Sequence, residues 1–230
     1  MRNVACMLIS RPELAKAAIC GLEQLQPKKK VIGLAPRLYN SSVHDWLDEQ
    51  PNTLVAPGTD SDFLMGARKR IYDIALRLEP EWIVNFDDDD ILVNPYAALR
   101  LASVGTGKGM VHGDVLRVVK REEGLEYWQV RQSWRCEKPK DANCLYGSLW
   151  AISAEAWEKV SQVIDAKSPD LYFSDYRIAY WARRLGFEDT YEPGIASVER
   201  YSLNKYVQRR KERRFDTWEG LVKWMDEREP

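Results

Sequence analysis

The sequence predicts an α/β protein built on a three-layer, mostly parallel sheet with a mixed second half and a basic helical C-terminal tail. Three observations lead there. Residues 4–9, 31–34 and 82–86 are short, almost wholly apolar runs, the pattern of strands buried on both faces of a parallel sheet. Stretches with apolar residues at 3.6-type spacing separate them, as helices crossing over such a sheet would require. The chain has 230 residues, 45% of them apolar, enough for one sizeable core.

After the first run, Ser10-Arg11-Pro12-Glu13 supplies a cap, a proline suited to the first helical positions and an early acid. A helix to about Leu25 follows, with Leu14, Ala17, Ala18, Gly21, Leu22 and Leu25 on one face, closed by Pro27 and three lysines. Residues 31–34 begin a second strand and Leu54-Val55-Ala56 makes a third. Phe63, Leu64, Ala67, Ile71, Ile74, Ala75 and Leu78 then share a helical face that Pro80 ends. Residues 82–86 form a fourth strand running directly into Asp87-Asp88-Asp89-Asp90. Shorter strands are expected at 110–112, 115–119 and 127–130, and a strand at 149–152 leads into a helix from about Ala154. A last helix, capped by Ser174 and stopped by Gly186, should turn Ile178, Trp181, Ala182 and Leu185 inward. From 205 to 214 six basic residues face Glu212 alone, a short cationic element.

Charge narrows the function. With 34 basic and 35 acidic side chains the chain is no overall nucleic-acid binder, so any such contact must be a local patch. No stretch nears the roughly 20 apolar residues that span a bilayer, and residues 4–9 are too short for a signal-peptide core, so a soluble cytoplasmic protein is expected. Cys6, Cys20, Cys136 and Cys144 form no C-x-x-C pair, and only His44 and His112 are available beside them, which argues against structural zinc and against disulfides. Gly105, Gly107 and Gly109 lack the spacing of a dinucleotide fingerprint or a P-loop.

The aspartate run carries the chemistry. Four adjacent carboxylates at a strand end repel one another, and a cation relieves that repulsion; a solvated acidic turn is the competing interpretation. Leu92 and Ala98 stand where an EF-hand needs glycine and glutamate. Oxygen ligands alone indicate Mg2+ or Mn2+, which commonly hold substrate phosphates, so the implied partner is a nucleotide or diphosphate.

Several segments together resemble the family-two-type glycosyltransferases of the GT-A fold over about residues 3–195. They are residues 4–13, Gly66-Ala67-Arg68-Lys69-Arg70, WIVNFDDDDIL at 82–92, YGSLWAISAEAWEKV at 146–160, and Ser174-Asp175-Tyr176 followed by ARRLGF. The resemblance implies a GT-A-like domain at 1–200. Its donor half would be about 1–104 and its acceptor half 105–200, followed by a basic helical segment at 201–230. It implies that Asp87 and Asp89 form an Asp-x-Asp metal pair holding Mn2+ or Mg2+, and that Ser10, Arg11, Arg68, Asp87 and Asp88 contact the nucleotide sugar, while Asp90 only caps. Asp175 would be the general base. Tyr146, Gly147 and Trp150 would face the acceptor, with Trp157 a further sugar-facing ring, although one of these three aromatic residues is expected to be plain core. Arg209 and Arg210 would offset the leaving diphosphate or else belong to a solvated cationic helix. His112, a polar residue at a strand end, is either a structural histidine or an acceptor contact. The chain departs from the family at Leu34-Ala35-Pro36-Arg37, where a base-reading aspartate is usual, at Lys69, and in having no histidine after Asp175. The first departure points away from a uridine donor.

The resulting expectation is a metal-dependent, inverting transfer of a sugar from a nucleotide-sugar donor to a hydroxyl, foremost on a glycan. The alternatives are a nucleotidyltransferase on a similar sheet, a glycosyltransferase acting on modified nucleic acid, and a non-catalytic sugar-nucleotide-binding module.

Overall fold

The computed structural model describes residues 2–58, 64–88, 90–92, 109–121, 124–131, 149–164 and 174–202. Its strands are β1 (Asn3–Ile9), β2 (Lys29–Leu34), β3 (Thr53–Val55), β4 (Trp82–Phe86), β5 (Asp90–Leu92), β6 (Gly109–Arg121), β7 (Gly124–Arg131), β8 (Leu149–Ser153) and β9 (Glu188–Ser202). The helices are α1 (Ala15–Gln24), α2 (Ser42–Asp48), α3 (Leu64–Leu76), α4 (Ala154–Val163) and α5 (Ser174–Arg184). The nine described strands form one sheet in the order β3-β2-β1-β4-β8-β6-β9-β5, with β7 paired to β6. β1 to β4 are mutually parallel where they pair, and β8 runs against both β4 and β6. The α/β class and the mixed second half are therefore as the sequence predicts.

The apolar runs are continuous because both faces of the central strands are covered. On β1, Ala5, Met7 and Ile9 join a core under α1 and α2 with Ile19, Leu22 and Leu47. Val4 and Cys6 point the other way, into a core with Ile71 and Ala75 of α3, Trp157 and Val160 of α4 and Ile178 of α5. Strand alternation thus builds three layers from one sequence run. On β4, Trp82, Val84 and Phe86 belong to the first core and Ile83 to the second.

Some elements differ from expectation. The pieces at 110–112 and 115–119 are one strand, β6, whose register against β9 shifts between Gly113 and Asp114. β9 itself has no apolar alternation and follows from pairing along β6. α2 is too short to announce itself by periodicity, and the Ser41 hydroxyl caps it by accepting from the His44 amide. Leu185 is corrected from an inward to an exposed position: α5 ends at Arg184, and Leu185 lies on the turn beyond it, 41% exposed. That turn is closed by the Phe187 amide bonding the Ala182 carbonyl and the Gly186 amide bonding that of Arg183, with Gly186 at φ +81°. No helix among the described residues is long and apolar enough to cross a membrane. Residues 203–230 lie outside the described residues, and with them the expected basic helix.

Candidate functional site

β1 and β4 are paired in parallel with Cys6 opposite Asn85, so their chains leave the sheet side by side. Ser10 and Arg11 follow β1; Asp87 and Asp88 follow β4. Past the end of β4 the two adjacent carboxylates part and take two duties, Asp88 toward Ser10 and Asp87 toward Arg68.

Asp88 turns toward the β1 exit. Its Oδ2 accepts from the Ser10 amide at 2.7 Å, the Ser10 hydroxyl at 3.1 Å and the Arg11 amide at 3.0 Å. The Arg11 guanidinium lies 3.6 Å from Oδ1. Asp88 is 5% exposed, so these donors are what makes burial of its charge tolerable. Arg37, from the turn after β2, donates to the Ser10 carbonyl at 2.7 Å and ties a third chain to the same corner.

Asp87 turns toward α3 and α5. Arg68 of α3 donates to its Oδ1 at 3.2 Å and also meets the Asp175 carboxylate in the first turn of α5. Beneath them the Tyr72 hydroxyl, one helical turn from Arg68, donates to Asn85 Oδ1 at 2.7 Å, and the Asn85 amide reaches Asp87 Oδ1 at 3.4 Å. The chain Tyr72, Asn85, Asp87, Arg68, Asp175 therefore joins α3, β4 and α5. Burial holds the Tyr72 phenol well above its ordinary 10.0, with the Arg68 charge opposing in part. Burial likewise raises Cys6, again opposed by Arg68.

The structure thus brings together Ser10, Arg11, Arg68, Asp87 and Asp88, expected as nucleotide-sugar contacts, with Asp175, expected as the base. It adds Tyr72 and Asn85, which the sequence signals only as an asparagine inside the apolar run WIVNF and a tyrosine four residues after Arg68. Other expected contacts part from the site. Trp150 is 2% exposed and meets Tyr72 edge to face, and Trp157 is fully buried with its indole N–H donating to Asp73 at 3.0 Å. Neither ring has a face left for a sugar, which corrects the acceptor role expected of both. His112 is 3% exposed in β6, opposite Trp150. Asp90 opens β5. Asp89, Tyr146, Gly147, Arg209 and Arg210 lie outside the described residues.

Among the described residues no three His, Cys, Asp or Glu side chains gather into a cation cage. Mg2+ or Mn2+ needs less, since one or two protein carboxylates suffice when phosphates complete the shell. Asp87, with a third of its side chain exposed, suits that demand; Asp88, already saturated by N–H and O–H donors, does not.

No family model and no curated protein matches the sequence. Solved structures do match. The chain is similar to the inositol-1-phosphate CTP transferase from T. maritima, with TM-score 0.57 and 13% identity over 88% of this chain and 91% of that one. It is similar to a putative glucose-1-phosphate thymidylyltransferase from Bacillus anthracis, solved in complex with a sucrose, with TM-score 0.52 and 9% identity over 83% and 86% of the two chains. It also spans half the length of the bifunctional IspDF from Campylobacter jejuni, with TM-score 0.47 and 13% identity. At such identities the first two likenesses establish the fold: this chain has the mixed, Rossmann-like α/β sheet of the nucleotidyltransferases.

Proposed function

We propose that the chain is a nucleotide-dependent transferase whose donor binds beyond the carboxyl ends of β1 and β4. The observation that carries this reading is the convergence of Asp87, Asp88, Arg68 and Asp175 at that edge, where open α/β sheets bind their ligands. Asp87, with Asp89, would hold Mn2+ or Mg2+, which when bound supplies positive charge to the donor's phosphates. Ser10 and Arg11, fixed by Asp88, form the floor on which the nucleoside would lie.

Two reactions fit this edge. Nucleotidyl transfer has the better support from the comparisons, because the two similar structures described above with TM-scores of 0.57 and 0.52 are named for it. Glycosyl transfer is favoured by a local feature. The amides that follow a first strand are ready anion donors, yet here those of Ser10 and Arg11 are spent on Asp88 and cannot cradle a triphosphate. In that reaction Asp175 would take the proton from the acceptor hydroxyl, while Tyr146 and Gly147 would face the acceptor and Arg209 and Arg210 the leaving diphosphate.

Product analysis separates the readings. The protein with Mn2+ is offered nucleoside triphosphates plus sugar phosphates in one arm, and nucleotide sugars plus hydroxyl-bearing glycans or hydroxylated nucleobases in DNA in the other. Pyrophosphate release indicates nucleotidyl transfer, and nucleoside diphosphate release that depends on acceptor indicates glycosyl transfer. Binding without either product leaves the non-catalytic module, and the absence of both binding and product refutes the proposal.

A further inference from the structure

Arg68 is an arginine placed beneath the site rather than in it. Its side chain is 5% exposed, while Asp87 and Asp175 are 33% and 24% exposed, so the guanidinium reaches both carboxylates from the protein side and leaves their outer faces to solvent. One terminal nitrogen goes to Asp87 and the other to Asp175. Two carboxylates drawn to one place would repel; a planar cation that can donate in two directions holds them at fixed separation. Lys69, next to it on α3, pairs instead with Asp73 at 2.7 Å.

From this arrangement we propose that Arg68 is a built-in counter-cation that sets the divalent-cation affinity of Asp87 and couples it to Asp175. The inference rests on the cation-binding reading of Asp87 above. Arg68 is a positioning residue in this account. Its charge competes with an incoming cation for Asp87, and the Asp175 carboxylate moderates that competition by taking part of the guanidinium for itself. A cation arriving at Asp87 is therefore felt at Asp175 through Arg68, which would ready the second carboxylate when the donor is in place.

The test uses Mn2+ alone, titrated into the full-length protein by calorimetry, and it turns on sign. Removing the competing charge in Arg68→Gln should tighten Mn2+ binding by about threefold to tenfold, the scale of one partly screened charge at close range. Arg68→Lys keeps the charge but loses the two-way fork, so it should not bind Mn2+ more tightly than the parent. Asp175→Asn should weaken Mn2+ binding, and by less in an Arg68→Gln background than in the parent. An arginine that merely braces the fold predicts the opposite for Arg68→Gln, a weaker site. If Arg68→Gln binds Mn2+ no better than the parent, or the Asp175→Asn effect is the same in both backgrounds, the role given to Arg68 is wrong. Should Arg68→Gln fail to fold, the inference stands or falls on Arg68→Lys, in which Mn2+ affinity no tighter than the parent's supports it and tighter binding overturns it. A parent protein that binds no Mn2+ would instead sink the cation reading of Asp87 on which the inference rests.

Discussion

Asp87 and Asp88 are neighbours in sequence with different work: Asp88 turns to the exit of β1 and Asp87 to Arg68 of α3. Asp88 organises the β1 exit by accepting from three donors while itself only 5% exposed. Asp88→Ala should therefore destabilise the fold by about 2–4 kcal/mol, read as a lower urea midpoint at unchanged slope; a loss under about 0.5 kcal/mol would mean the latch contributes little. Tyr72 and Cys6 give a second residue-scale prediction. Burial raises both above their ordinary 10.0 and 9.0, so the folded state holds these protons more tightly than the unfolded chain. Their contribution to stability is complete below about pH 9 and is lost as pH rises through the folded values. Denaturation series between pH 8 and 11 should show falling stability, with a shallower fall in Tyr72→Phe. An equal slope in that variant would remove Tyr72 as a cause.

At the scale of elements, two glycines test different physics. Gly186 lies in the turn that follows α5, at φ +81° in open space, so Gly186→Ala meets only backbone strain and should cost about 1 kcal/mol. Gly109 opens β6 at φ +130°, and a Cβ there would lie 2.0 Å from the Glu188 carbonyl oxygen. Gly109→Ala should cost clearly more, about 3 kcal/mol or above, because the β6–β9 pairing must shift. Equal melting temperatures for the two variants would contradict this account. The elements legible in the sequence are those whose own residues demand them: β4 is found at Trp82–Phe86 as expected, since each of its positions is buried. β9 was not legible, because its partner and not its composition makes it a strand. The same contrast holds for the site. The aspartate run stands out as charge beside apolar sequence and Arg68 through the resemblance of residues 66–70, whereas the Tyr72 to Asn85 bond exists only once α3 lies over β4. Trp150 and Trp157 were misjudged for the converse reason, since a sequence does not say which aromatic rings the sheet will cover.

The whole molecule sets an acidic pair, a buried arginine and a helix start at one edge of a sheet shared with nucleotidyltransferases. The account stands on that edge being a cation-assisted nucleotide site. Mutations there should leave the two cores untouched, since Asp87 and Asp175 are partly exposed and belong to neither. At saturating Mn2+, Asp175→Asn should spare nucleotide affinity within about threefold, and if glycosyl transfer is the reaction it should lower turnover by about 10² to 10⁴. The most direct measurement is calorimetric binding of nucleoside diphosphates, triphosphates and nucleotide sugars, with and without Mn2+, to the parent and to folded Asp87→Asn. The account predicts that at least one of these ligands binds the parent in a Mn2+-dependent manner and that Asp87→Asn loses that dependence, with affinity falling at least about tenfold, or 1.4 kcal/mol. Mn2+-dependent binding of the same strength in Asp87→Asn, or no nucleotide binding by the parent at all, would contradict it.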